Sequence, residues 1–456
     1  MRVAFIYMNT VDNVLYGVGY VAGAILHAGH ELKLINSASK PVDKIVKTVT
    51  KGKFDVLLLS TMTMLFPEAI NMIRLIKQQK NIPVLLGGLH ATIMHEKILN
   101  DHPEIDFLCV GEGESMIVEF LELFKKESLY EIQNLAFRRD GTVKVNPIRP
   151  PEDLSKLPPF PWQLFPKRAI LQENGSIYVN ASRGCPFRCS YCCNSLYLNL
   201  YGSKQYLRFR PVEHVIKELK YLHKKYKPTW FYFGDEMIFS KKEQAQKLFY
   251  AIKQTINMPY GCLLRPEYVK PDVVSLLTDT GCRLVGMGIE CGDENFRRQE
   301  LGRYMSNDVI KNAFYLLKSA GVFVTSFNMI GFPFEYDEKL TEETVRLNQE
   351  VAPNYAQFTI FYPFPGTKLY QHCVDLDLID QNKASQTTNY YKESVLKDVI
   401  VGKKRDDLAK KFNPEGLVLP FKERVSFNTR LMRYLRQIKL LRKIWHFTRR
   451  FLQLIK

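Results

Sequence analysis

No apolar run in this 456-residue chain approaches the roughly 18 residues needed to cross a bilayer. The start, MRVAFIYMNTVDN, lacks the basic region and small-residue cleavage site of a signal peptide. The expectation is a cytoplasmic chain, neither secreted nor membrane-spanning. The nine cysteines are an odd number with three crowded into one octet, which argues against a disulfide framework and for reduced thiols holding a metal. No G-x-G-x-x-G follows the first apolar run, which disfavours a dinucleotide. Solenoid repeats and low-complexity tracts are also missing, which excludes repeat arrays.

What is present is globular composition, 46% apolar, 12% aromatic and 24% charged. At roughly 100 to 200 residues per domain the length allows two to four domains. Lys and Arg outnumber Asp and Glu by 64 to 47, but the excess is uneven: residues 403–456 hold 16 basic and 4 acidic side chains. Charge gathered at one end points to an anchoring or docking element rather than to a nucleic-acid face.

Over residues 1–145 short apolar runs (VAFIYM, ELKLIN, DVLLLS, PVLLGG, FLCVGEG) alternate with helix-length segments, which predicts an α/β domain with a Rossmann-like, doubly wound parallel sheet. A helix is expected from Ser115 to about Lys126, and Asp140-Gly141 reads as a hairpin turn. Seven prolines between Pro147 and Pro166 make residues 146–172 a stiff connector. Residues 173–380 carry six further strand candidates, SIYVNAS, TWFYFGD, YGCLLR, RLVGMGIE, FVTSFNMIGF and YAQFTIFYPF, separated by helices such as Val212–Tyr226. Six such units suit a partial (β/α)6 barrel of TIM type, open rather than closed. Residues 381–456 form an extension that ends in a basic amphipathic helix from about Phe427.

The segment SRGCPFRCSYCCN sets Cys185, Cys189 and Cys192 in the spacing CxxxCxxC, directly after the first barrel strand. Three thiolates on one tight loop can hold three irons of a 4Fe-4S cluster and leave the fourth open to a ligand. A zinc site would want a second cysteine pair, which the chain does not offer. Buried structural thiols are the other reading. The motif resembles that of the radical S-adenosylmethionine (SAM) superfamily, with Tyr191 as the aromatic before the last cysteine. The resemblance implies that SAM chelates the open iron and is reductively cleaved to a radical that abstracts hydrogen, with electrons from a donor such as flavodoxin or ferredoxin. It further implies that Gly234, Asp235 and Glu236 receive the methionyl ammonium, with Asp235 departing from a second glycine. Arg265 is then placed at the SAM carboxylate and Glu290 at the ribose. Ile330-Gly331-Phe332-Pro333 and Pro363–Thr367 resemble later strand-end turns near the adenine and substrate. Cys193 is additional to the motif.

The strand ends of the first domain, YMNTVDNVLYG, LSTMT, LGGLHAT and VGEGES, are similar to those of the cobalamin-binding domain that precedes one large subclass of these barrels. By that pattern Asp12, Gly17, Ser60, Gly87 and Gly88 would hold cobalamin, and Val14 stands where an axial histidine of cobalt would be. Valine cannot ligate, so the expectation is cobalamin without a protein imidazole, or a domain that has lost the cofactor; His90 reads as a hydrogen-bonding residue. In the tail, ten basic residues and no acid lie between Arg424 and Lys456. Membrane, self-packing and nucleic acid are the three partners weighed, with an anionic membrane surface favoured. The resulting reading is a radical SAM enzyme, a cobalamin-dependent methyltransferase acting on an unactivated carbon of a small-molecule, lipid or lipid-linked substrate. A radical cyclase, oxidoreductase or rearrangement enzyme, a tRNA-modifying enzyme and a non-enzymatic cobalamin protein are the alternatives.

Overall fold

The computed structural model describes residues 1–387, 393–397, 402–417 and 419–420. The first apolar run, Arg2–Tyr7 (β1), is buried almost throughout, as a central strand between two helical layers must be. It pairs in parallel with Glu31–Asn36 (β2) and Val56–Ser60 (β3), and Val84–Gly87 (β4) and Phe107–Cys109 (β5) continue the parallel series. The connections are helices Tyr16–His27 (α1), Val42–Lys51 (α2), Phe66–Lys77 (α3) and Leu89–Asp101 (α4). Glu114–Glu122 (α5) follows β5 and stops short of the expected Lys126; Lys125 adopts a left-handed φ of 71°. Leu135–Arg139 (β6) and Thr142–Val145 (β7) add an antiparallel hairpin at one edge. Its two-residue turn has φ of 51° at Asp140 and 71° at Gly141, the conformation an Asp-Gly pair favours.

The proline-rich segment is packed as well as stiff. Phe160, Trp162 and Phe165 are buried in one core that runs from the first sheet into the second. The Phe160 ring fills the groove over Gly19 of α1, where a Cβ would lie 2.1 Å from it, so the small residues of YGVGYVAGA make room for the connector. Lys167–Ile170 (α6) leads into the second sheet.

Ser176–Val179 (β8) opens that sheet, and a two-residue antiparallel ribbon of Ser182–Arg183 (β9) and Arg208–Phe209 (β10) follows. Trp230–Phe233 (β11), Tyr260–Leu264 (β12), Cys282–Glu290 (β13), Phe323–Ile330 (β14) and Tyr355–Ile360 (β15) complete it. All six strands run parallel in sequential order from β8 to β15, and these two remain its edges, so the sheet curls into an open half-barrel. Helix Gly402–Phe412 covers β15, with Leu408 and Phe412 packed against Phe358 and Ile360. A covered edge strand is protected from pairing with another chain. Among the described residues no helix is long and apolar enough to cross a membrane. The basic helix expected from Phe427 lies outside the described residues.

Candidate active site

The three-cysteine loop belongs to an excursion from the barrel. Its base is the β9–β10 ribbon, in which Arg183 faces Arg208, and residues 184–207 project between them. Gly184 starts it with φ +95°, and a Cβ there would lie 2.3 Å from the Tyr206 carbonyl oxygen. Cys185, Cys189, Cys192 and Cys193 follow, then helix Asn194–Tyr201 (α7). The loop is tied down by Ser190 N donating to Leu301 O at 3.2 Å and by Leu369 N donating to Ser190 O at 3.1 Å.

All nine cysteines are free thiols. Burial pushes the Cys185 thiol up to about 12, helped by the neighbouring Cys192, Cys189 and Glu236. Cys192 is raised by its hydrogen bond with Cys193 and by burial. Thiols that repel one another's ionised forms in a desolvated loop suit a cationic centre that neutralises them. Among the described residues no three His, Cys, Asp or Glu side chains surround a single ion. A cluster differs, because each thiolate binds its own iron and the sulfurs stand farther apart. Two donors point at the sulfurs: Arg265 NH1 is 3.8 Å from Cys189 Sγ, and Asn194 Nδ2 is 3.8 Å from Cys192 Sγ.

Around this loop the fold gathers most of the expected SAM residues. Tyr191 hydrogen-bonds to Glu290 at the far end of β13, and burial raises the Glu290 carboxyl. Glu290 sits at φ +67° after a register shift between β13 and β14, an uncommon strand-end conformation for a side chain of its size. Arg265 stacks over Phe187 at 3.6 Å and bonds Glu267 at 2.6 Å. Asp235, fully buried, commits Oδ1 to the strand that launches the loop: it accepts from Ala181 N at 2.8 Å, and from Ser182 N and Oγ. Burial pushes its carboxyl up to about 7. A Cβ at Gly234 would meet Asn180 Oδ1 at 3.8 Å and the Tyr178 ring at 3.9 Å, and Glu236 faces the cavity described next, its carboxyl raised by burial. Asp235 Oδ2, Glu267 Oε2 and Arg303 Nε are each buried without a hydrogen-bond partner. Glu267, bonded to the arginine that points at Cys189, and Arg303, beside Cys189, thus present orphaned atoms of both signs that fit a ligand carrying an ammonium and a carboxylate. Nothing in the local sequence marks Glu267 or Arg303; they reach the site only through the barrel fold.

A cavity of about 440 Å³ joins the two halves of the molecule. Ser60, Gly87 and Gly88 line it from the ends of β3 and β4, Gly17 from the start of α1, and Asn180, Gly184 and Glu236 from the barrel. Its depth is apolar, with Phe5, Leu58 and Leu85 on the sheet and Val21, Met116 and Ile117 on α1 and α5. An apolar slot rimmed by glycines would suit a bulky cofactor such as cobalamin, which needs close backbone approach. Gly88 has φ +95°, and a Cβ there would come 2.8 Å from Thr61 O, whereas Gly17 faces open space. The fold does not bring Asp12 to this cavity: it pairs with Arg168 of α6 and accepts from Asn36 Nδ2 at 3.0 Å. His90 is also absent from the lining; its Nδ1 stands 3.1 Å from Thr63 Oγ1 and its ring packs on Phe66. Burial lowers His90 to about 4, so the ring is neutral near pH 7. Val14 packs against the core.

An open parallel half-barrel with three thiols after its first strand, facing an open sheet across one cavity, defines a radical SAM fold joined to a B12-type domain. Residues 179–346 match the Radical SAM superfamily and residues 10–121 match the B12 binding domain. The chain belongs to the radical SAM superfamily, in the subclass with an N-terminal B12-binding domain, and its cofactors are a 4Fe-4S cluster, SAM and cobalamin. It is similar to an uncharacterized methyltransferase of Pyrococcus horikoshii, 28% identical over 373 residues, covering 80% of this chain and 79% of the relative. An anaerobic magnesium-protoporphyrin IX monomethyl ester cyclase of Rubrivivax gelatinosus is 25% identical, over 83% of this chain and 70% of the relative. Cytidylyl-2-hydroxyethylphosphonate methyltransferase of Streptomyces wedmorensis is 24% identical, over 87% and 85%. The fold is shared with TsrM, a radical SAM methyltransferase from Kitasatospora setae, solved with cobalamin and a 4Fe-4S cluster bound. The TM-score is 0.66 at 14% identity, over 82% of this chain and 75% of the other.

Proposed function

We propose that this enzyme transfers a methyl group to an unactivated carbon of a small-molecule substrate. One observation carries the reading: a single cavity reaches from the glycine-lined strand ends of the B12-binding domain to Gly184 and Glu236 beside the thiol loop. When bound, the cluster with SAM supplies hydrogen-atom abstraction and cobalamin supplies a methyl group. Cys185, Cys189 and Cys192 hold the cluster. Arg265, beside Cys189 and anchored by Glu267, orients the SAM carboxylate. Gly234 and Glu236, with the free oxygen of Asp235, receive the ammonium, and Glu290, steadied by Tyr191, receives the ribose. Gly17, Ser60, Gly87 and Gly88 give cobalamin close backbone approach. The apolar walls exclude water, which protects a radical from quenching.

A radical cyclisation is the second reading, favoured by the similarity to the Rubrivivax gelatinosus cyclase. A lipid or lipid-linked substrate is the expectation carried by the basic tail. Cells with and without the gene, grown on methyl-deuterated methionine, separate these readings by mass spectrometry of metabolites and lipids. Methyl transfer yields a gene-dependent product that contains the labelled methyl group. A gene-dependent product that has only lost hydrogen, with no label, contradicts it.

A further inference from the structure

We propose that Glu112 is a positioning residue that clasps the cluster-bearing excursion to the B12-binding domain and so sets the separation of the two metal centres. Glu112 lies on the turn between β5 and α5, at the rim of the cavity. Arg208 grips its carboxylate as a fork, NH2 to Oε1 at 2.6 Å and NH1 to Oε2 at 2.9 Å. Arg183 NH1 adds a contact to Oε1 at 3.4 Å, while its NH2 stands 2.7 Å from Glu114 Oε1. Arg183 and Arg208 are cross-strand partners in the ribbon, and everything between them is the excursion that carries Cys185, Cys189 and Cys192. One carboxylate of the first domain therefore closes the base of the loop that holds the cluster.

Two further contacts make the clasp rigid. The Glu112 backbone N–H donates to the Tyr201 hydroxyl, at the far end of α7, at 2.7 Å. The preceding Gly111 is so close to that hydroxyl that a Cβ would lie 2.3 Å away. The connector joins through Glu152, whose N–H donates to Glu112 Oε2 at 2.7 Å and whose carbonyl accepts from Arg208 NH1 at 2.6 Å. Glu112 thus touches the first domain, the connector and the excursion at once. Its ion pair with Arg208 is nearly buried, at 14% and 15% side-chain exposure, and so is shielded from salt. The inference rests on the presence of both cofactors and not on which group is transferred.

The test uses the full-length holoenzyme with the cluster reduced and cobalamin as Co(II), both paramagnetic, and reads their dipolar coupling by pulsed electron paramagnetic resonance. Glu112→Gln keeps the shape and the backbone N–H but removes the charge; Arg208→Gln removes the fork. Both should retain iron and corrinoid at wild-type content while losing the resolved dipolar splitting, because the centres no longer hold one separation. Arg208→Lys, which keeps the charge, should restore part of the splitting. Arg139→Gln, which breaks the exposed pair with Glu127, should leave it unchanged. A wild-type splitting in Glu112→Gln overturns the proposal. So does loss of either cofactor from that variant, since Glu112 would then be a binding residue. A wild-type enzyme that holds a single paramagnet would instead count against the two-cofactor reading itself.

Discussion

The clearest residue-scale consequence concerns the four neighbouring thiols. Removing any one of Cys185, Cys189 and Cys192 leaves a second iron without a protein ligand, so each Ala variant should fail to retain the cluster after anaerobic reconstitution. Cys193→Ala should keep wild-type iron content and absorbance, since Cys193 stands outside the motif; equal loss in all four would contradict the assignment. Asp235 gives a pH signature. Its carboxyl is raised from 3.8 to about 7 by burial, so between those values the folded form keeps a proton that the unfolded chain has released. The stability this contributes is present below the lower value and lost as pH rises through about 7. Denaturant midpoints of the apoprotein should therefore fall with rising pH in wild type relative to Asp235→Asn, which can still accept from Ala181 N and Ser182 N. Parallel profiles would show that burial does not raise the Asp235 carboxyl. The cysteine spacing was legible because the chemistry is local. Glu267, Arg303 and the Glu112–Arg208 pair were not, because each becomes a site residue only when folding joins segments far apart in the chain.

At the scale of elements, alternation of apolar runs located the strands of both sheets, and the open barrel followed from counting βα units. Val212–Tyr226 forms the helix that its periodicity predicts. The burial of the connector was harder to read, since proline content excludes helices and central strands but does not say what the intervening aromatics touch. Phe160, Trp162 and Phe165 turn out to belong to the shared core. Phe160→Ala should destabilise the fold by about 3–5 kcal/mol through lost burial and the cavity left over α1. Gly19→Ala, which drives a methyl group into the same ring, should cost about 1–3 kcal/mol. Denaturant unfolding of the two variants checks both values, and near-wild-type midpoints would mean that the connector is a spacer after all.

For the whole molecule, the charge asymmetry and the two-domain arrangement meet different tests. Binding to anionic vesicles should require the residues after Val425, gain about 1 kcal/mol per basic side chain near the surface, and weaken with salt. A chain ending there should lose flotation with liposomes but keep both cofactors, whose expected ligands all precede Tyr370; continued flotation would remove the membrane reading. The central claim, that one cavity lets a cobalamin-bound methyl group meet radical chemistry, has a direct test that needs no known substrate. The anaerobically reconstituted enzyme is reduced in the presence of methyl-deuterated SAM, and its corrinoid and nucleoside products are analysed by mass spectrometry. The account predicts the labelled methyl group on the bound corrinoid together with 5'-deoxyadenosine. Sustained formation of 5'-deoxyadenosine from a fully cobalamin-loaded enzyme, with no label ever on the corrinoid, would contradict it.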